Sequence, residues 1–434
     1  MSEMTQFVLV IAVFLTLLLA GMWIPFAIFL SASLYILLYA GWDGLNGFGL
    51  SSWGSMNSFT LTAIPLFILM AEIMLESGLS HRVYRGLARI VRRLPGGLLQ
   101  TNVAGCAAFS AISGSSVATA AAIGSVALPQ LEQRGYCKKL STGTLAAGGT
   151  LGILIPPSIA MIIYGTFTET SIAKLFMAGV IPGLAMVALF MLYVAVRCLI
   201  NPRLAPPPDR DEVPPPLRQT LADLVPFAVL IFGVMGSLYA GFATPTEAAG
   251  VGAAMAAIIA RIWGTFSMAT LRRALGKTIQ ACGAILFIVY AAFLFSYAIA
   301  MAGLTDELTD VLAGWNLSRL ELLLAIVVLY TVLGFLMDSI GMMVITVPIL
   351  HPILMSYGID PIWFGVLLVV LIELGQITPP VGMNLFVVKS VAPTATLNDV
   401  IMGSLPFCLL MYVMIWWLIY APGLALWFPN RMTG

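Results

Sequence analysis

The chain predicts an all-α polytopic membrane protein, built as an inverted repeat with about five membrane-spanning helices and one re-entrant hairpin in each half. Three observations predict it. The 434 residues are 60% hydrophobic and only 9% charged. Apolar runs repeatedly reach the ~20 residues a helix needs to cross a bilayer. One unusual phrase occurs twice inside such runs, G-I-L-I-P-P-S from Gly152 and G-Q-I-T-P-P-V from Gly375.

Composition excludes several classes. A soluble core of this size would carry far more surface charge, and an outer-membrane barrel would show short alternating strands. A net charge of +1 gives nucleic acid no basic footprint to bind. The five cysteines, Cys106, Cys137, Cys198, Cys282 and Cys408, are odd in number and contain no C-x-x-C, so they indicate neither a disulfide framework nor a zinc site. They are read as small apolar packers. The start, M-S-E-M-T-Q-F, lacks a basic n-region, and the apolar segment continues through Pro25 to Ala40, so the first helix is expected to stay.

Overlaying the halves turns the repeated phrase into an internal repeat. Gly21 and Pro25 match Gly241 and Pro245, and Gly78-Leu79 match Gly303-Leu304. At a constant offset Pro129, Gly135, Gly152 and Pro156-Pro157 match Pro352, Gly358, Gly375 and Pro379-Pro380, and Gly179 and Pro182 then match Gly403 and Pro406. The halves run about 1–200 and 221–434.

The first half reads as helices at about 5–20, 22–40 and 56–78, and then an Arg-rich connector. A hairpin follows at about 97–133, turning at Ser113 to Ser116, then a broken helix at about 138–166 and a helix at about 172–197. The hairpin arms are too short to span alone, as re-entrant geometry requires. Five crossings plus a hairpin that returns to its own side is an odd count, so the second copy enters upside down. Its hairpin falls at about 320–356 and its broken helix at about 361–390.

Basic residues set the orientation. Arg82, Arg85, Arg89, Arg92, Arg93, Arg134, Lys138, Lys139, Arg197, Arg203, Arg210, Arg218, Arg261, Arg272, Arg273, Lys277 and Lys389 share one side, which is 17 of the 20 Lys and Arg. Lys174, Arg319 and Arg431 lie opposite. The basic side is expected to be cytoplasmic, with both termini on the other side. The first hairpin then opens inward and the second outward. Trp42, Trp53, Trp315, Trp363 and Trp427 are expected near the outer interface, where amphipathic rings are favoured. The hydrophilic stretch 201–220 is rich in proline and reads as a semi-rigid cytoplasmic linker.

The chemistry is written at four interruptions. Lipid offers the backbone no hydrogen-bond partner, so Gly and paired Pro at mid-membrane depth belong where freed groups line a cavity or bind something. In the first half the tip S-G-S-S-V-A-T should face the break G-G-T-L-G-I-L-I-P-P-S. In the second, M-D-S-I-G should face E-L-G-Q-I-T-P-P-V-G-M-N. Each break frees the carbonyls of one half-helix and the amides of the next. Carbonyls and neutral hydroxyls can replace the water shell of a small hard cation, for which sodium is the candidate. The candidate ion ligands are Ser113, Gly114, Ser115, Gly149, Gly152 and Pro156 in the first half, and Asp338, Ser339, Gly375, Thr378 and Pro379 in the second. Freed amides and positive helix ends suit an anion. The candidate substrate residues are Ser115, Ser116, Thr119, Pro157, Ser158, Thr378, Pro380 and Asn384.

Asp338 and Glu373 are intramembrane carboxylates, which are costly and point to function. Their first-half counterparts, Ser115 and Thr150, are neutral, so the second site is the more negative. Glu72 and Glu76 are expected to snorkel or to pair with the nearby arginines, and His81 and His351 to be interfacial. An intramembrane enzyme is disfavoured: no His lies near the site, Ser115 and Ser116 have no evident base, and neither carboxylate has a Gly-x-Gly-Asp-like setting.

The hairpin S-G-S-S-V-A-T-A-A-A-I-G-S-V-A-L-P, the first break, and the pair G-F-L-M-D-S with E-L-G-Q-I-T-P-P-V-G-M-N-L-F resemble the large membrane subunit of tripartite ATP-independent periplasmic (TRAP) transporters. The similarity runs through the whole chain. It implies an elevator-type fold of the ion-transporter superfamily in a bacterial inner membrane, and sodium-driven import of organic anions such as carboxylates or acidic sugars. It further implies a periplasmic binding protein that delivers the anion and a small four-helix membrane subunit, here expected as a separate polypeptide. The alternative is a stand-alone sodium/carboxylate symporter without a soluble partner.

Overall fold

The structure is a computed structural model that describes residues 3–206, 216–334 and 337–432. Arg210 and the middle of the Pro-rich linker lie outside the described residues, as do Phe335 and Leu336 of the second hairpin tip.

Every regular element among the described residues is helical. The first half contains α1 (Glu3–Leu19), α2 (Ile24–Gly44), α3 (Asn46–Met56), α4 (Ala63–Glu76), α5 (Leu79–Val91), α6 (Leu98–Ser113), α7 (Ser116–Gln133), α8 (Lys138–Leu154), α9 (Ile159–Phe167) and α10 (Ile172–Ile200). The second contains α11 (Leu217–Tyr239), α12 (Pro245–Trp263), α13 (Met268–Met301), α14 (Leu304–Gly314), α15 (Arg319–Leu333), α16 (Ser339–Ser356), α17 (Pro361–Ile377), α18 (Met383–Val391), α19 (Leu397–Tyr420) and α20 (Gly423–Met432). Among the described residues seven helices are long and apolar enough to cross a membrane, or up to nine if each bent pair counts as one span.

The matched glycines do matched work. Gly135 ends α7 at φ 71° and Gly358 ends α16 at φ 62°, both in the left-handed region that lets a helix stop and the chain reverse. Between them and the broken helices lie residues that start a helix: Asp360 accepts from the amides of Ile362 and Trp363, with Pro361 in the first turn.

Two packed groups result. In the outer group α4 lies on α12 and α13, and α2 lies on α1 and α13. In the inner group α8 is surrounded by α6, α7, α17 and α19, and α17 by α15, α16 and α19. Gly143 and Gly403 bring α8 and α19 into backbone contact, because a Cβ on Gly403 would overlap the Lys139 carbonyl. This is close packing through small residues, the usual route to tight helix pairs in lipid.

Side-chain contacts establish the inversion. Lys138 at the start of α8 donates to the Thr394 carbonyl just beyond α18, while Tyr164 near the end of α9 donates to the Pro361 carbonyl at the start of α17. The broken helices α8–α9 and α17–α18 therefore run antiparallel. The first hairpin has its base at the Lys138 end, where the Tyr136 hydroxyl accepts from the Leu98 amide. The second has its base at the Pro361 end, where the Arg319 guanidinium lies 5.7 Å from the Trp363 ring. The hairpins enter from opposite faces.

Three local readings differ. The helix expected over 56–78 is α4 alone, preceded by α3 and a bend of 58°. The Gly- and Ser-rich α3 lies against α13, with the Tyr297 hydroxyl where a Cβ on Gly47 would be. Trp363 is not a belt residue: it is 1% exposed, and its indole N–H donates to the Leu418 carbonyl. Glu76 pairs with Arg273 and Lys277 of α13 rather than with the arginines of α5. Those arginines go elsewhere: Arg82 and Arg85 both hold Asp223 of α11.

Candidate functional site

The first cleft forms where the tip of the α6–α7 hairpin meets the break between α8 and α9. Helix α6 stops at Gly114, φ 59°, and Ser115 caps α7 by accepting from the Ala118 amide. The Ser113 and Thr119 hydroxyls lie 2.6 Å apart across the turn. In the break, the Pro156–Pro157 bond is cis, and Ser158 caps α9 by accepting from Met161 while donating to the Ile153 carbonyl. Tip and break are joined by the Ile159 amide, which donates to the Gly114 carbonyl. Their approach requires Gly152: a Cβ there would sit 2.5 Å from the Ser115 carbonyl oxygen and 2.8 Å from the Thr119 hydroxyl. Gly149 likewise packs on Ala120. The structure thus brings Ser113, Gly114, Ser115, Thr119, Gly149, Gly152, Pro157 and Ser158 into one neighbourhood rich in neutral oxygen.

The second cleft repeats this plan with different chemistry. Gly334 of the α15–α16 hairpin lies against Gly375 of α17. Asp338 caps α16, its carboxylate accepting from the Ile340 and Gly341 amides at 3.1 and 3.3 Å. The Pro379–Pro380 bond is again cis, and the Thr378 hydroxyl donates to the Leu374 carbonyl. No hydroxyl caps α18: Gly382, φ 44°, stands where Ser158 stands in the first half, close to the Gln376 and Thr378 carbonyls. Pro380 is exposed, so this break is the more open of the two. Glu373 is fully buried, and neither of its carboxylate oxygens has a hydrogen-bond partner among the described residues.

The clefts touch through Asn384. It lies in α18 at 0% exposure, and its amide nitrogen donates to the Ser116 hydroxyl at 2.5 Å and the Ala146 carbonyl at 3.4 Å. Helices α7 and α18 pack together, as do α9 and α16. All four start at an interruption, so four positive helix ends point into the molecule's middle. A helix N-terminus carries roughly half an elementary charge and free amides; at α16 the Asp338 carboxylate already takes up two of them, which leaves the ends of α7, α9 and α18 for an anion. Such an arrangement attracts an anion without a buried basic side chain.

Sequence reasoning located the four interruptions but not what joins them. The Ala146 carbonyl and the Gly334–Gly375 contact went unseen, because neither leaves a local signal. Gly382 could have been found from its place directly after the Pro-Pro-Val of the second break.

Paired hairpins meeting paired broken helices inside an apolar bundle define a multi-pass helical membrane protein of transporter architecture. The family model described as the DctM component of the tripartite ATP-independent periplasmic transporter matches residues 11–424, and the chain belongs to that family. It is 34% identical to the C4-dicarboxylate TRAP transporter large permease protein DctM of Pseudomonas aeruginosa, over 92% of this chain and 93% of that one. It is 29% identical to the sialic acid TRAP transporter large permease protein SiaM of Vibrio cholerae, over 97% of both chains. In fold it resembles the YdaH transporter of Alcanivorax borkumensis, with a TM-score of 0.66 at 17% identity over 95% of this chain and 99% of that one.

Proposed function

We propose that this permease imports a small organic anion, a C4-dicarboxylate or an acidic sugar, driven by sodium. The observation that carries the reading is the antiparallel pair of broken helices, each closed by a hairpin tip from its own side, with four helix N-termini converging between them. The names of its relatives support the substrate class.

In this reading one sodium ion is held in the first cleft by oxygens of Ser113, Gly114, Ser115, Gly149, Gly152 and Pro156. A second is held by Asp338, Ser339, Gly375, Thr378 and Pro379. The anion binds between the clefts, against Ser115, Ser116, Thr119, Pro157, Ser158, Thr378 and Pro380, with Asn384 at its flank. Ions order the tips, the ordered tips complete the anion site, and the hairpin-bearing group moves across the bilayer against the outer group. Coupling follows because the ions stabilise the geometry the substrate needs. The protein sits in a bacterial inner membrane with both termini periplasmic. Its partners are a small four-helix membrane subunit and a periplasmic binding protein.

The test is reconstitution of this chain with those partners in liposomes, followed by uptake of labelled succinate and N-acetylneuraminate. Uptake of one of them that needs an inward sodium gradient and the binding protein is expected. Uptake indifferent to sodium would overturn the coupling. Uptake by the chain alone would favour a stand-alone symporter.

A further inference from the structure

We propose that Asn384 is a positioning residue that links the two clefts, acting through Ser116 rather than by holding the anion. The proposal rests on the sodium-coupled reading above and adds to it the route by which one ion site senses the other.

The carboxamide nitrogen has two N–H donors, and both are engaged, one on the Ser116 hydroxyl and one on the Ala146 carbonyl. No donor remains for an anionic group. The carboxamide oxygen is buried without a partner among the described residues, and an oxygen acceptor repels a carboxylate. Asn384 is therefore poorly suited to grip the substrate and well suited to bridge.

What it bridges is specific. On one side, Ser116 is the first residue of α7, and the carbonyl of its neighbour Ser115 lies against Gly152 in the first cleft. On the other side, Asn384 follows Gly382 by two residues, and Gly382 is fitted against the Gln376 and Thr378 carbonyls in the second cleft. The path from Thr378 through Gly382, Asn384 and Ser116 to Gly152 crosses between the repeats by one short side-chain bond. Movement of the first hairpin tip, or of the α17–α18 break, on ion release has to stretch or tilt that bond, which is buried at 0% exposure.

The strut has no counterpart at the matching position of the other repeat. Asn384 is the second residue of α18, and the second residue of α9 is Ala160, which has no group to donate. Ser339, the counterpart of Ser116 at the start of α16, thus receives no equivalent bond from Ala160. The Asn384–Ser116 bond is thus an asymmetric feature of a molecule otherwise built as a pair.

The experiment is sodium titration of the thermal stability of the purified protein, compared across wild type, Asn384→Ala, Ser116→Ala, the double variant and Ser116→Thr. Wild type is expected to respond with a Hill coefficient above one. Asn384→Ala and Ser116→Ala should each bring it to about one and weaken apparent sodium affinity by about tenfold, the scale of ordinary coupling between sites. The double variant should be no worse than either single, because both remove the same bond. Ser116→Thr, which keeps the hydroxyl, should retain cooperativity. Wild-type Hill coefficients in both alanine variants, or losses that add in the double variant, would overturn the proposal while leaving sodium coupling intact. A wild type indifferent to sodium would overturn both. If Asn384→Ala does not fold, Ser116→Ala against Ser116→Thr decides the question by itself.

Discussion

Position 152 shows how little room the first cleft has. A side chain there meets the Ser115 carbonyl and the Thr119 hydroxyl at distances no real Cβ adopts, and Ser115 is held by the hairpin turn. Gly152→Val is expected to push the tip off the break, abolishing sodium-dependent uptake while the protein still inserts and assembles; normal uptake would remove the first cleft from the mechanism. Asp338 poses a different question, since its carboxylate already caps α16 through two amides. Asparagine caps as well as aspartate but carries no charge, whereas alanine forfeits the cap at a cost of about 1 kcal/mol. Asp338→Asn should therefore keep wild-type thermal stability and lose sodium affinity, and Asp338→Ala should lose both. Unchanged sodium dependence of uptake in Asp338→Asn would make the residue a cap and nothing more.

At the scale of elements, α5 ties the halves together at the Arg-rich end of the molecule. Arg82 and Arg85 converge on Asp223, whose side chain is 1% exposed, and Gly86 lets α5 settle against Leu224. On its other side Tyr84 donates to Asn102 of the first hairpin, and Asn102 passes a bond to Thr144 of α8. Asp223→Ala leaves two guanidinium groups facing an apolar seam. A loss of about 2 kcal/mol is expected, below the usual range for a broken buried pair because Arg85 is half exposed. Thermal unfolding in detergent measures it, and no loss would show that packing around Gly86 suffices to hold α5 in place. None of this joint was visible in the sequence. Its partners are far apart in the chain, and an arginine-rich connector reads equally well as a solvated face. The interruptions were visible, because Gly and Pro-Pro inside apolar runs conflict with the backbone rules of lipid and so announce themselves locally. Trp363 misled for the complementary reason: an indole near a helix start looks the same in sequence whether it meets headgroups or, as here, a buried carbonyl.

For the whole molecule, the sequence conveyed the doubling, and the structure supplied its sense. Matched glycines and prolines said that the halves share a plan, and an odd number of crossings said that one copy is upside down. Only the contacts of Lys138 with Thr394 and of Tyr164 with Pro361 put the two broken helices side by side and antiparallel. What gives those helices a function is that hairpins reach them from opposite sides. Single cysteines at Gly135 and Gly358, the glycines that close the two hairpins, report this directly in a background with the five native cysteines replaced. Labelled with a membrane-impermeant maleimide in sealed vesicles of known orientation, position 135 should react only from the cytoplasmic face and position 358 only from the opposite face. Labelling of both from the same face would contradict the inverted architecture, and with it the site.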